Sequence, residues 1–247
     1  MPHLTEWQWI VVIVAALCVG ASKAGFAGLG MVAVVGFASI FGARDSTGIV
    51  LPMLIVGDIG AVLVFKQHAR WDYIRRTLPI AAVGVVVAAL VMHGLDNTSF
   101  KPVIGAIILV LTVLQFARMR FPDAFGQMPH SRPFAWGLGL FAGVTTMMAN
   151  AAGPLVALYC VAVEMPKFQV VGTLAWFFFI INLFKVPFSV WIGVIHGSSL
   201  LLNAALIPVI LVGLFGGRWL IHRIPQRVFE ATMLVFAAAA SLRLLFG

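Results

Sequence analysis

What this chain has least of is charge. Lysine, arginine, aspartate and glutamate make up 10% of its 247 residues, against 62% hydrophobic residues and a mean hydropathy of +1.07. That leaves too little polar surface for a soluble globule of this size, so the chain reads as an integral membrane protein. Cysteine is nearly missing as well: Cys18 and Cys160 stand alone in apolar runs, with no CxxC or Cys/His neighbour. This excludes the common metal and redox centres and leaves two packing residues. The short alternating segments of an outer-membrane barrel are lacking, and the apolar runs are instead long enough for helices to cross about 30 Å of hydrocarbon. No P-loop occurs and no soluble stretch could house an ATPase, so neither a nucleotide nor any other cofactor is expected. The opening MPHLTEW has no basic region and carries Glu6, so a cleaved signal peptide is not expected. Trp7 and Trp9 fit an interfacial belt at the first span.

What is present is repetition. Pro79, Gly84, His93 and Phe100 recur 129 residues later as Pro208, Gly213, His222 and Phe229, while Gly25 and His68 recur 128 residues later as Gly153 and His196. A one-residue slip between His68 and Pro79 reconciles the two offsets. Such duplication is typical of secondary transporters, with the substrate site between the copies near the bilayer midplane. The chain divides into an N-terminal repeat (1–120), a linker (121–133) and a C-terminal repeat (134–247). Each repeat holds four apolar blocks. The first are A (Trp7–Gly42), B (Thr47–Phe65), C (Thr77–Leu95) and D (Pro102–Ala117); the second are A′ (Phe134–Val163), B′ (Val170–Ile195), C′ (Leu200–Ile221) and D′ (Val228–Phe246).

The formal charge of +8 speaks through its placement and not for nucleic acid. Lys66–Arg76 carries a net +3, Arg118–Pro133 a net +2 and Arg218–Arg227 a net +3, which accounts for all of it. The positive-inside rule puts these three loops in the cytoplasm. That is consistent only if A and A′ each make an even number of crossings, as broken helical hairpins that either span fully or re-enter. Each repeat then makes an odd number of crossings. The expected fold is therefore an all-α membrane protein of two inverted-topology repeats, each a broken hairpin followed by three transmembrane helices.

Block A breaks in GASKAGFAGLG (Gly20–Gly30), where glycines weaken the helix; A′ breaks in TTMMANAAGP (Thr145–Pro154), where Gly153 and Pro154 interrupt the ladder. Unwound backbone at membrane depth must be buried in protein or line a wet cavity, and a matched pair of breaks points to a binding site. Half-helices starting at Ala24 and Ala151 would present amides and a positive dipole end to an anion. Lys23 adds charge and Asn150 adds side-chain donors at these breaks. The blander readings are a snorkelling Lys23, an Asn150 that only caps a helix, and glycines that serve helix packing.

Two more charges lie inside spans: Asp58 in B, and Lys185 in B′ with Asn182 one turn before it. Asp58 stands seven residues from the end of its block, roughly 10 Å deep at the helical rise. Intramembrane ionisable groups face an interior path or each other. Asp58 is thus a proton carrier, or the ion-pair partner of Lys185 or Lys23. The histidines at 68, 93, 196 and 222 fall at block ends, where a water-facing imidazole needs no special role.

SKAGFAGLG (Ser22–Gly30), LPMLIVGDIGAV with the following KxHAxWD (Leu51–Asp72), ANAAGPLVALY (Ala149–Tyr159) and the FFxxxNxxK run through Phe178, Phe179, Asn182 and Lys185 resemble the TauE/SafE family of sulfite and organosulfonate exporters. The resemblance covers essentially the full length. It implies a multi-pass carrier of small organic or inorganic sulfur anions in a bacterial inner membrane, with broken helices at the repeat interface. The substrate-binding set is then Ser22, Lys23, Ala24, Gly25, Asn150, Ala151, Gly153, Asn182 and Lys185, with no metal and no catalytic residue. The partners are the cargo anion and the lipid bilayer; a homodimer is compatible with the pattern but not dictated by it. A passive anion channel is the runner-up. A Ser22/Lys23 hydrolase is remote, because adjacent helical residues point about 100° apart and no orienting third group is evident.

Overall fold

The computed structural model describes residues 4–26, 28–95, 97–121, 123, 132–163, 165–195 and 197–220. Among them every regular element is a helix: α1 (Glu6–Ser22), α2 (Leu29–Phe41), α3 (Ala43–Phe65), a 3₁₀ turn (Lys66–His68), α4 (Trp71–His93), α5 (Asn97–Arg120), α6 (Arg132–Ala149), α7 (Gly153–Ala162), α8 (Lys167–Ile192) and α9 (Gly197–Leu220). Block D′, the loop before it, His196, His222 and most of the linker lie outside the described residues.

Ala43–His68, Trp71–His93, Phe168–Ile192 and Ser199–Trp219 are long and apolar enough to cross a membrane. Blocks A and A′ each fold as two shorter helices. With 13 residues α2 reaches only about 20 Å, and with 10 residues α7 only about 15 Å, both short of the hydrocarbon thickness. Local chemistry sets these ends. Thr5 and Gln8 form a capping box that starts α1. Between α2 and α3 the chain turns on the single residue Gly42, whose φ of +85° suits glycine.

The halves are laced together. Helix α1 packs on α9, α6 packs on α4, and α3 lies against α8. Where lipid surrounds a protein, helix contact relies on close packing and small residues, since apolar burial brings little gain. Glycines supply this at matched positions. A Cβ on Gly84 would overlap the Leu140 carbonyl, and one on Gly143 the Ala81 carbonyl; on the other side, Gly20 faces the Ile210 carbonyl and Gly213 that of Leu17. Gly84 and Gly213 are the pair read from the repeat.

The α3–α4 connection rests on the start of α8. The Arg70 amide donates to Thr173 Oγ1 at 3.0 Å, Trp71 meets Trp176 at 5.2 Å between centroids, and His68 meets Phe168 at 5.7 Å. His93 stacks on Trp191 at 4.4 Å, a partner that the sequence did not suggest for it. The Arg70–Asp72 ion pair, at 3.0 Å, has both side chains nearly half exposed. Solvent screens such a pair, so Arg70→Ala should leave the melting temperature of the detergent-solubilised protein within error of the parent value.

Candidate functional site

Both breaks expected from the sequence are present, and their local causes differ from the expectation. Helix α1 ends at Ser22, but its amides keep turning: Lys23 donates to Gly20 O at 3.1 Å and Ala24 to Ala21 O at 3.0 Å. Gly25, at φ +110°, then redirects the chain, and α2 starts at Leu29, not at Ala24. Helix α6 ends at Ala149. Asn150 makes the turn at φ +50°, the only positive φ among described non-glycine residues. Asparagine tolerates that conformation better than other side chains do. Ala151 donates to Thr145 O at 3.4 Å, so the second half-helix opens at Gly153, not at Ala151. Pro154 does not interrupt a helix; it lies in the first turn of α7, where a missing N–H leaves no gap.

The breaks meet between α3 and α8. Lys23 Nζ lies 2.7 Å from Asp58 Oδ1 and 5.0 Å from the centre of the Phe178 ring. Asp58 is fully buried, and its Oδ2 accepts from Asn182 Nδ2 at 2.7 Å. Lys185, 1% exposed, donates to Thr146 O at 2.7 Å, Asn150 Oδ1 at 2.5 Å and Asn182 Oδ1 at 3.2 Å. With Thr146 Oγ1 at 3.3 Å as a fourth acceptor, these oxygens use all the hydrogens of an ammonium, which has no lone pair to offer. The same contacts orient both asparagines: their oxygens turn to Lys185, leaving Asn150 Nδ2 to donate to Thr47 O at 2.9 Å. Each lysine also sits where a helix C-terminus exposes carbonyls, Lys23 at the end of α1 and Lys185 at the end of α6, and a cation is favoured there.

The two halves contribute at equal spacing, one residue out of the 128-residue repeat. Lys23 and Asp58 are 35 residues apart in the chain and so are Asn150 and Lys185, each pair joining a break to the long helix that follows. The lysine stands on the break in the first half and on the helix in the second.

A cavity of about 60 Å³ opens beside this network. Of the residues expected at the site, Ser22, Lys23, Gly25, Asp58, Asn150, Ala151, Gly153 and Asn182 line it. Two others do not. Ala24 is buried with Phe26 and Leu29 in an apolar cluster, and Lys185 stands one layer behind the wall, holding the asparagines. Thr146, Phe178 and Met31 line the cavity and were not expected. Thr146 lies within the TTMMANAAGP break, and Phe178 within the FFxxxNxxK run, but an apolar ring in an apolar stretch carries no signal of its own. Ser22 Oγ donates to Val19 O at 2.7 Å and the Lys23 ammonium faces Asp58, so the two make no nucleophile–base pair.

The room is that of a few water molecules or one small oxyanion. Its walls offer the Lys23 ammonium beside the Asp58 carboxylate, the side chains of Asn150 and Asn182, Gly153 at the start of α7 and otherwise mostly apolar side chains. The family model for the sulfite exporter TauE/SafE matches residues 12–244, a stretch that contains both breaks and both long helices carrying the buried charges. No curated protein and no solved structure matches the chain. Apolar helices throughout the described residues, and a family match over nearly the whole length, establish that this multi-pass membrane protein belongs to the sulfite exporter TauE/SafE family of membrane transporters.

Proposed function

We propose that the protein is a secondary transporter that exports sulfite, sulfoacetate or a related small organosulfonate across a bacterial inner membrane by alternating access, its two halves forming inverted repeats. One observation carries the reading: among the described residues, the one lysine lining a cavity of oxyanion size stands where two broken helices converge, one from each half. Lys23, the Gly153 end of α7, and Asn150 and Asn182 are assigned to the anion, and Lys185 to positioning the asparagines. The matched glycine contacts and the equal 35-residue spacings support a duplicated unit. The basic Lys66–Arg76 loop supports a cytoplasmic address for that end of the bundle.

The test is counterflow in liposomes holding the purified protein. Labelled sulfite or sulfoacetate should accumulate transiently against unlabelled preload and saturate with concentration. Conductance without counterflow would establish the channel reading instead. Asn150→Gly should lower the flux at least tenfold, and glycine is the informative choice because it keeps the φ of +50° while removing the side chain. Full flux in Asn150→Gly, with the protein eluting as the parent does, would remove Asn150 from the site.

A further inference from the structure

The cavity's lysine is already occupied. Lys23 holds Asp58 Oδ1 at 2.7 Å, and Lys185 has its hydrogens on Thr146, Asn150 and Asn182, so among the described residues no second ammonium is available to a cargo. An oxyanion that engages Lys23 must therefore lie beside the carboxylate of Asp58, which also lines the cavity. Two like charges about 4 Å apart, in a medium of effective dielectric about 20, weaken binding on the order of a thousandfold.

Asp58 has nowhere better to go. It is fully buried, and Asn182 fixes its other oxygen at 2.7 Å. The charges that act on it are Lys23 from the first break and Lys185 from α8. Among the described residues, α1, α2, α5, α6 and α9, which also surround α3, place no other charged group against it. None of the described residues supplies a spare cation to shield both anions at once.

We propose that Asp58 is a resident counter-anion which yields Lys23 to the cargo by taking up a proton, so that one proton travels with each monoanion. This deepens the transporter reading and rests on it. In the loading step a proton from the aqueous side forms an O–H bond on Asp58 Oδ1. The Lys23 ammonium turns from that oxygen to an oxygen of the anion, and Oδ2 keeps its hydrogen bond from Asn182. No other bond forms or breaks. The empty site holds two ammonium groups and one carboxylate, and the loaded site two ammonium groups and one cargo anion. Its net charge is the same in both forms, and transport of a monoanion is therefore electroneutral.

Methanesulfonate is the probe, because it is ionised throughout the neutral range and cannot itself supply or take the proton. Titrated into lightly buffered purified protein with a pH indicator, it should bind with uptake of close to one proton per molecule. Its apparent affinity should fall about tenfold per pH unit on the alkaline side. In liposomes its flux should follow an imposed pH gradient and ignore a potassium-diffusion potential. Asp58→Asn should bind it without proton uptake and without that slope. Binding without protons, or flux that follows the potential, would overturn the proposal while leaving the cargo site standing. Failure of the unmodified protein to bind either methanesulfonate or sulfite would overturn both. Should Asp58→Asn not fold, the proton count on the unmodified protein still decides.

Discussion

Replacing Lys23 by methionine is expected to reduce anion flux to background and to destabilise the protein by about 3–5 kcal/mol, the usual result of removing one member of a buried ion pair. The cause is Asp58. With no exposed surface and its Oδ1 2.7 Å from Lys23, it would keep only the Asn182 hydrogen bond once the ammonium is gone. The double variant Lys23→Met/Asp58→Asn removes both charges and should recover most of the lost stability, because a pair replaced by neutral groups of similar shape is often close to neutral. Its flux should stay at background. Thermal denaturation in detergent and liposome flux together separate the two effects. A double variant no more stable than Lys23→Met would mean that the pair does not account for the loss, and a double variant that transports would dismiss Lys23 as the anion contact.

Gly143→Val is expected to prevent accumulation of folded protein, whereas Gly137→Ala, six residues earlier on α6, should be tolerated or slightly stabilising. A Cβ at Gly143 would overlap the Ala81 carbonyl and lie 2.8 Å from its carbon, so α6 and α4 would have to separate along their length. Overpacking a close contact costs about 1–3 kcal/mol or more, and contacts of this kind hold helices together where lipid removes the hydrophobic gain. At Gly137 a Cβ would meet nothing within 4 Å, and alanine is favoured over glycine within a helix by about 1 kcal/mol. Size-exclusion profiles of the two variants, expressed side by side, give the readout. A monodisperse Gly143→Val at parental yield would show that the approach of α4 to α6 is looser than described.

The cost of a charge in hydrocarbon explains how much could be read beforehand. Lys23, Asp58 and Lys185 each interrupt an apolar run, so each had to find a partner indoors, and the structure brings all three into one network with Asn150 and Asn182. Of the candidate partners for Asp58, contact falls to Lys23, with Asn182 standing between Asp58 and Lys185. Glycine and proline located the breaks to within a few residues. They did not reveal the starts of the half-helices, which depend on backbone amides folding back after Ser22 and after Ala149. Helix ends at the membrane surface were also longer than the apolar runs: α4 begins at Trp71 and α5 at Asn97, because polar first turns continue a helix into the interface. Composition cannot tell a cavity wall from the layer behind it. Only three-dimensional packing separates Asn182, which faces the space, from Lys185, which anchors it from behind.

Because α1 completes its contact on α9 while α6 completes its own on α4, each half of the molecule is finished by the other. A gene severed at the connecting segment would yield two fragments, neither able to mature alone. Such fragments would regain activity only when co-expressed, and then as a mutually dependent couple.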